Sequence, residues 1–202
     1  MYVIGIAGGS GSGKTTFVDR ILNKVPGNEI AVLPQDAYYL DLSHLPLEER
    51  RKQNFDHPNS IEWPLMVNDI RKLKKGEPIA YPTYSYLECA RQKETVAMGP
   101  KKILLVEGIL IYTCLELCME LDMKLFLEVP ADQRLTRIIQ RDIASRGRTV
   151  EMVIERYYQT VRPMYEEFIK PSKRQADMLI LGGGHNERAA EFIASAISHK
   201  LI

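Results

Sequence analysis

A chain of 202 residues with 45% apolar side chains can bury one α/β core and is too short for two substantial domains, so residues 1–202 are read as a single domain. Lys and Arg number 27 against 26 Asp and Glu, a formal charge of +1, which argues against nucleic-acid and membrane-surface roles. Cys89, Cys114 and Cys118 form no CxxC pair and leave an odd thiol, and no apolar stretch reaches membrane-spanning length, so a cytoplasmic location is expected.

The first predicted strand, Val3 to Ala7, runs straight into Gly8-Gly9-Ser10-Gly11-Ser12-Gly13-Lys14-Thr15, a full match to G-x-x-x-x-G-K-[ST]. Glycines let successive backbone N–H groups turn inward at a helix start, where the dipole also favours anions. Lys14 is then placed to reach the β- and γ-phosphates of a nucleotide and Thr15 to offer its hydroxyl to Mg²⁺. The helix after Lys14 is expected to run towards Lys24 and end before Pro26-Gly27-Asn28.

Ile30 to Leu33 reads as a second buried strand, and the carboxylate just past it, Asp36, should face the phosphates, because strand C-termini converge on the ligand crevice of such sheets. A carboxylate there can accept the proton of an attacking hydroxyl. Asn54-Phe55-Asp56-His57-Pro58 supplies further ligand-like residues. A helix is expected from Asn59 or Ser60, where Asn59 and Glu62 have capping-box spacing, to Gly76. Residues 78–100, rich in Tyr and Thr, suggest a small β excursion outside the main sheet.

Ile103 to Val106 is a strand ending in Glu107, a candidate for supporting Mg²⁺. Leu125 to Val129 and Met178 to Leu181 complete the set of buried parallel strands. Between these two, residues 131–149 read as a helical lid. Arg134, Arg137 and Arg141 fall within about 60° of one another and Leu135, Ile139 and Ile143 on another face, taken as the core-facing side. Asp132 and Asp142 offer these arginines solvated ion pairs as the alternative to a phosphate. Arg141, Arg146 and Arg148 approach a turn at Gly147, a plausible hinge, and arginine suits the distributed charge of a transferring phosphoryl group.

Together the motifs GIAGGSGSGKTT, LPQDAYY, NFDHP, TYSYLECARQKETV, VEGIL, RDIASRGR and VRPMYEEFIKPSK resemble the uridine/cytidine kinase family of the phosphoribulokinase/uridine kinase group. The resemblance covers nearly the whole chain. It implies an α/β P-loop kinase fold, a doubly wound and mainly parallel sheet with the small β excursion and the arginine-bearing lid. It further implies transfer of phosphate from ATP or GTP, with Mg²⁺, to the 5′-hydroxyl of uridine or cytidine. On that reading Gly8, Gly9, Ser10, Gly11, Ser12, Gly13, Lys14, Thr15 and Thr16 bind the nucleotide. Thr15, Asp36 and Glu107 hold the metal, and Asp36, Lys14, Arg141 and Arg146 carry the chemistry. The acceptor falls to Tyr39, Phe55, Asp56, Tyr84, Tyr86, Cys89, Arg148 and Arg156. A small nucleoside-like acceptor and a homo-oligomer are the implied partners.

Four positions depart from the family pattern: Cys89 stands for a base-recognising histidine, Ile138 for a second lid arginine, Arg156 for a nucleoside-facing glutamine, and Gly182 for the arginine of an Arg-Gly-Gly. Ile138 borders the cationic face by helical phase, and Arg156 is read as a replacement for the missing arginine or as a solvated helix charge. A different alcohol acceptor therefore stays open beside the nucleoside. A low-turnover nucleotide-binding regulator also stays open, although no NKxD follows the Glu107 strand and the base-like Asp36 is present.

Overall fold

The computed structural model describes residues 1–25 and 28–201. Five strands, β1 (Tyr2–Gly8), β2 (Ile30–Pro34), β5 (Ile103–Gly108), β6 (Met123–Glu128) and β7 (Met178–Leu181), form one sheet in the order β2-β5-β1-β6-β7. Every pairing in it is parallel. The apolar runs of β1, β5 and β6 are explained by burial on both faces, whereas the edge strand β7, expected to be buried, covers only Ile180 fully and leaves Leu179 and Leu181 exposed. Val3 and Ala7 of β1, Leu104 and Val106 of β5 and Phe126 of β6 enter one core. Their alternates Ile4 and Ile6, Ile103 and Leu105, and Leu125 and Leu127 enter a second core on the opposite face.

The second core is closed by α1 (Lys14–Leu22), through Phe17, Val18 and Ile21, and by the C-terminal helix Glu187–Leu201, through Ala190, Ile193, Ala194 and Ile197. The first is closed by α3 (Trp63–Lys74), through Met66, Val67, Ile70 and Leu73, and by α4 (Leu115–Glu120), through Leu117. The result is a three-layer α/β/α arrangement. Residues 26–27, part of the predicted stop of α1, lie outside the described residues; α1 itself ends at Leu22, two residues short of Lys24.

The helix expected from Asn59 begins later. Pro58–Ser60 is a 3-10 turn in which His57 Nδ1 accepts from the Asn59 N–H, and α3 opens at Trp63 with Pro64 in its first turn. Proline is pre-set for that position, whereas the Asn59–Glu62 box would have required it inside the helix. A short helix, α2 (Leu47–Arg51), precedes this region. Residues 78–100 carry the hairpin β3 (Ile79–Ser85) and β4 (Ala90–Met98), a separate two-stranded sheet whose register shifts between Pro82 and Tyr84.

The helix α5 (Ala131–Arg146) ends at Gly147, left-handed at φ 62. Its inward face differs from the expected one. The buried stripe is Arg134, Ile138 and Asp142, while Ile143 is 46% exposed. The reason is that α5 packs on the phosphate loop and on α6 (Val150–Arg156) instead of lying on the sheet. Arg134 Nε donates to the Val129 carbonyl at 3.2 Å and its guanidinium lies 3.8 Å above the Tyr165 ring. Ile138 lies on the same stripe as Arg134 and Asp142, beside the arginines as its helical phase implies, and packs with Val153, Tyr157 and Val161 in a small core of its own. Beyond α6 the chain stays helical through two π turns, Tyr157–Val161 and Tyr165–Ile169, each followed within a few residues by a proline, Pro163 and Pro171. A widened turn is one way for a helix to accept the missing N–H and the ring.

Candidate active site

The register of the sheet assembles the site. Ile6 of β1 pairs with Glu107 of β5, and Glu107 pairs with Pro34 of β2, so the phosphate loop, Glu107 and Asp36 leave the sheet side by side at the strand C-termini. The loop that follows β1 is built on left-handed glycines, Gly11 at φ 77 and Gly13 at φ 83, conformations a side chain would resist. Gly9 meets Arg134 and Tyr165 where a Cβ would stand, and Gly11 meets the Arg134 carbonyl. The loop is therefore clamped from behind by α5. From the other side Gly184 N–H donates to the Ser12 carbonyl at 2.9 Å, and a Cβ on Gly183 would run into that same oxygen.

Lys14 Nζ donates to the Gly8 and Gly9 carbonyls at 3.1 and 3.4 Å. Burial pushes its ammonium down, and the Glu107 and Asp36 carboxylates oppose that push. Thr15 Oγ1 donates to Glu107 Oε1 at 3.0 Å. Burial raises the Glu107 carboxyl; Lys14 works against this and Asp36 adds to it. Ser12 Oγ is buried without a hydrogen-bond partner, an acceptor-hungry group in the wall of the loop. Thr16 is exposed on the first turn of α1.

A cavity of about 520 Å³ opens over these groups, lined by Ser10, Lys14, Thr15, Asp36, Tyr39, Asp56, Tyr86, Glu107, Arg141, Arg146 and Arg156 among others. Four cations and three carboxylates thus share one space, and all seven are residues singled out from the sequence. Tyr86 Oη donates to Asp36 Oδ2, and the Arg146 guanidinium lies 4.0 Å above the Tyr86 ring. Arg156 Nη2 pairs with Asp56 Oδ2 at 2.5 Å, so Arg156 is a pocket residue and not a solvated helix charge. A second cavity of about 450 Å³ contains Cys89 and Arg148 and shares Tyr86, Arg146 and Arg156 with the first. Cys89 is 6% exposed, left-handed at φ 49, and its thiol donates to the Tyr86 carbonyl. Phe55 and Tyr84 line neither cavity. They back the wall as an aromatic cluster, with Phe55 5.2 Å and Tyr84 4.9 Å from Tyr39 between ring centroids.

One residue at the centre of the lid was misread. Asp142 is 0% exposed and not a solvated partner: Arg141 and Arg148 reach it at 2.8 and 2.5 Å, Arg146 at 3.6 Å and Arg156 at 3.9 Å. Burial alone would raise its carboxyl, but Arg141, Arg146 and Arg148 outweigh it and hold the group below the usual carboxylate range. The signal was present in the sequence, since Asp142 stands four and six residues before Arg146 and Arg148 and beside Arg141. Arg137 also differs from its expected role, donating to the Gly11 carbonyl at 3.4 Å. Ser145 and Ile109 line the main cavity without having been singled out.

A glycine loop before a helix, two carboxylates at neighbouring strand ends and a helix bearing arginines over the gap define a P-loop phosphotransferase. More narrowly, the chain belongs to the phosphoribulokinase/uridine kinase family, whose model matches residues 3–188. It is 46% identical over 199 residues to a uridine kinase of Chloroflexus aurantiacus, covering 98% of this chain and 95% of that protein. It is also 44% identical over 195 residues to a uridine kinase of Staphylococcus epidermidis, covering 96% and 94%. The phosphoribulokinase of Rhodobacter spheroides has the same fold at 18% identity, with a TM-score of 0.65 over 89% of this chain and 69% of that one.

Proposed function

We propose that the protein transfers the γ-phosphoryl group of ATP or GTP to the 5′-hydroxyl of uridine or cytidine. The observation that carries this reading is a single cavity holding Lys14, Thr15, Asp36, Asp56 and Glu107 in a chain whose relatives over nearly full length are uridine kinases. The loop N–H groups and Lys14 gather the phosphates; a phosphate oxygen is a stronger acceptor than the carbonyls to which Lys14 now donates. Asp36 accepts the proton of the acceptor hydroxyl as its oxygen bonds to the γ-phosphorus, and the bridging bond breaks with its electron pair leaving on the nucleoside diphosphate. Arg141 and Arg146 neutralise charge on the group in transit, and Asp56 takes the ribose hydroxyls.

The donor set fits Mg²⁺. Among the described residues no three His, Cys, Asp or Glu form a metal cage, and Mg²⁺ is ordinarily held by one or two carboxylates with substrate phosphates and water. Thr15 and Glu107, with Asp36 beside them, are hard oxygen donors that would hold it, and when bound it neutralises phosphate charge.

The experiment is phosphate transfer by the purified protein with ATP, Mg²⁺ and a panel of nucleosides and simple alcohols, paired with Asp36→Asn. Uridine or cytidine should lead the panel, and Asp36→Asn should lower kcat by about 100-fold or more with ATP binding within a few-fold. A second reading, a different alcohol acceptor, draws on the Asp56–Arg156 pair, because a ribose must compete for a carboxylate already taken by an internal cation. A panel led by another alcohol selects that reading, and no turnover on any member selects a nucleotide-binding regulator.

A further inference from the structure

Tyr86 and Asp36 belong to different sheets, which meet where the turn Gln35–Tyr38 packs against β3. Asp36 lies on the turn that ends β2, in the main sheet, while Tyr86 lies in the turn between β3 and β4, in the separate hairpin. The phenol donates to Asp36 Oδ2. Its ring is held in place for this, with the Arg146 guanidinium over one face and Tyr84 meeting it edge-on at 5.4 Å between centroids.

An O–H donated to Asp36 is also what an acceptor alcohol must offer before it can be phosphorylated. We propose that Tyr86 is a positioning residue that stands in for the acceptor, occupying Asp36 until a substrate hydroxyl takes its place and thereby keeping the carboxylate from activating water against the nucleotide. This rests on Asp36 being the base. In the reaction that Tyr86 holds back, a water oxygen bonds to the γ-phosphorus and its proton passes to Asp36. The β,γ-bridging P–O bond breaks, and its electron pair leaves on the nucleoside diphosphate. The hairpin carries the phenol and the lid carries the stacked Arg146, so the stand-in yields when acceptor binding moves either element.

The test is Tyr86→Phe, which keeps the ring and its stack on Arg146 and removes one oxygen. Hydrogen bonds to charged groups are worth on the order of 10- to 100-fold in an equilibrium. ATP hydrolysis without acceptor, read as ADP release, should rise about ten-fold or more, the ratio of hydrolysis to transfer should rise with it, and the acceptor KM should fall several-fold. Unchanged hydrolysis with unchanged KM overturns the proposal. So does a fall in kcat for transfer with no gain in hydrolysis, which would make Tyr86 a direct participant. Asp36→Asn and the double variant separate this from the reading beneath it. If Asp36→Asn keeps transfer, Asp36 is not the base and both ideas fall. Where it loses transfer while Tyr86→Phe leaves hydrolysis unchanged, only the role of Tyr86 falls. The proposal stands if the double variant also loses the hydrolysis that Tyr86→Phe releases.

Discussion

Glu107 illustrates a conflict within one residue. Its carboxylate is wanted at the end of β5 beside Thr15, yet burial makes the charged form costly there. Because its folded-state pKa is raised, the folded protein binds more protons than the unfolded chain between 4.5 and that higher value, so stability rises as the pH falls through this window. Glu107→Gln should therefore raise the thermal midpoint of the nucleotide-free protein near neutrality, by about 2–4 °C per kcal/mol relieved, and remove the gain on acidification. Phosphate transfer should drop at the same time. Thermal unfolding followed from neutrality towards pH 4.5 in both proteins measures this, and a lower midpoint for the variant at neutral pH would contradict it. Glu107, Asp36 and the glycine loop were legible in the sequence because each combines a chemical type with a position at the end of an apolar run. Asp142 was not, because an acidic residue on a helix rich in arginine reads as a surface ion pair until its burial is known.

At the scale of the element, α5 shows what periodicity gives and withholds. The helix, its glycine stop and its arginines followed from spacing, but the inward stripe did not. Sequence period fixes which residues share a face; the neighbour fixes which face is buried. Here that neighbour is the phosphate loop and α6, and the stripe contains an ion cluster and Ile138 in place of a plain apolar seam. Removing the anion from a buried cluster strands its partners, at a cost of about 3–5 kcal/mol. Asp142→Asn should accordingly lower the thermal midpoint, and excess inorganic phosphate should recover part of the loss by supplying the missing negative charge to Arg141, Arg146 and Arg148. Equal stabilisation of parent and variant by phosphate would exclude that account.

Over the whole molecule, the parallel strands were readable but their order was not. The edge strand β7 carries the same unbroken apolar run as the doubly buried β1, β5 and β6 although Leu179 and Leu181 are exposed, so β2-β5-β1-β6-β7 follows only from packing. The same holds for the contact between the loop after β1 and the loop after β7. In the sequence Gly182-Gly183-Gly184 reads as a departure from Arg-Gly-Gly; in the fold Gly183 and Gly184 form a wall of the phosphate loop. A Cβ on Gly184 would collide with the Gly13 carbonyl, backbone against which no rotamer change helps. Gly184→Ala should displace the phosphate loop, at about 1–3 kcal/mol of overpacking, and raise the KM for ATP by about ten-fold with kcat less affected. Steady-state kinetics at varied ATP settles the matter, and an unaltered KM would show that the loop tolerates the intrusion.

That same contact sets an order in time. Ser12 and Gly184 stand about 170 residues apart in the chain, and at about 5–20 residues per second a ribosome takes on the order of 10–30 s to travel between them. Throughout that interval the nascent glycine loop lacks the Gly183-Gly184 wall, even once Arg134 and Tyr165 have been made, so a chain stalled before β7 should retain no ATP on a nucleotide resin. Competence to bind nucleotide arrives with the last strand of the sheet, which ties it to completion of the fold.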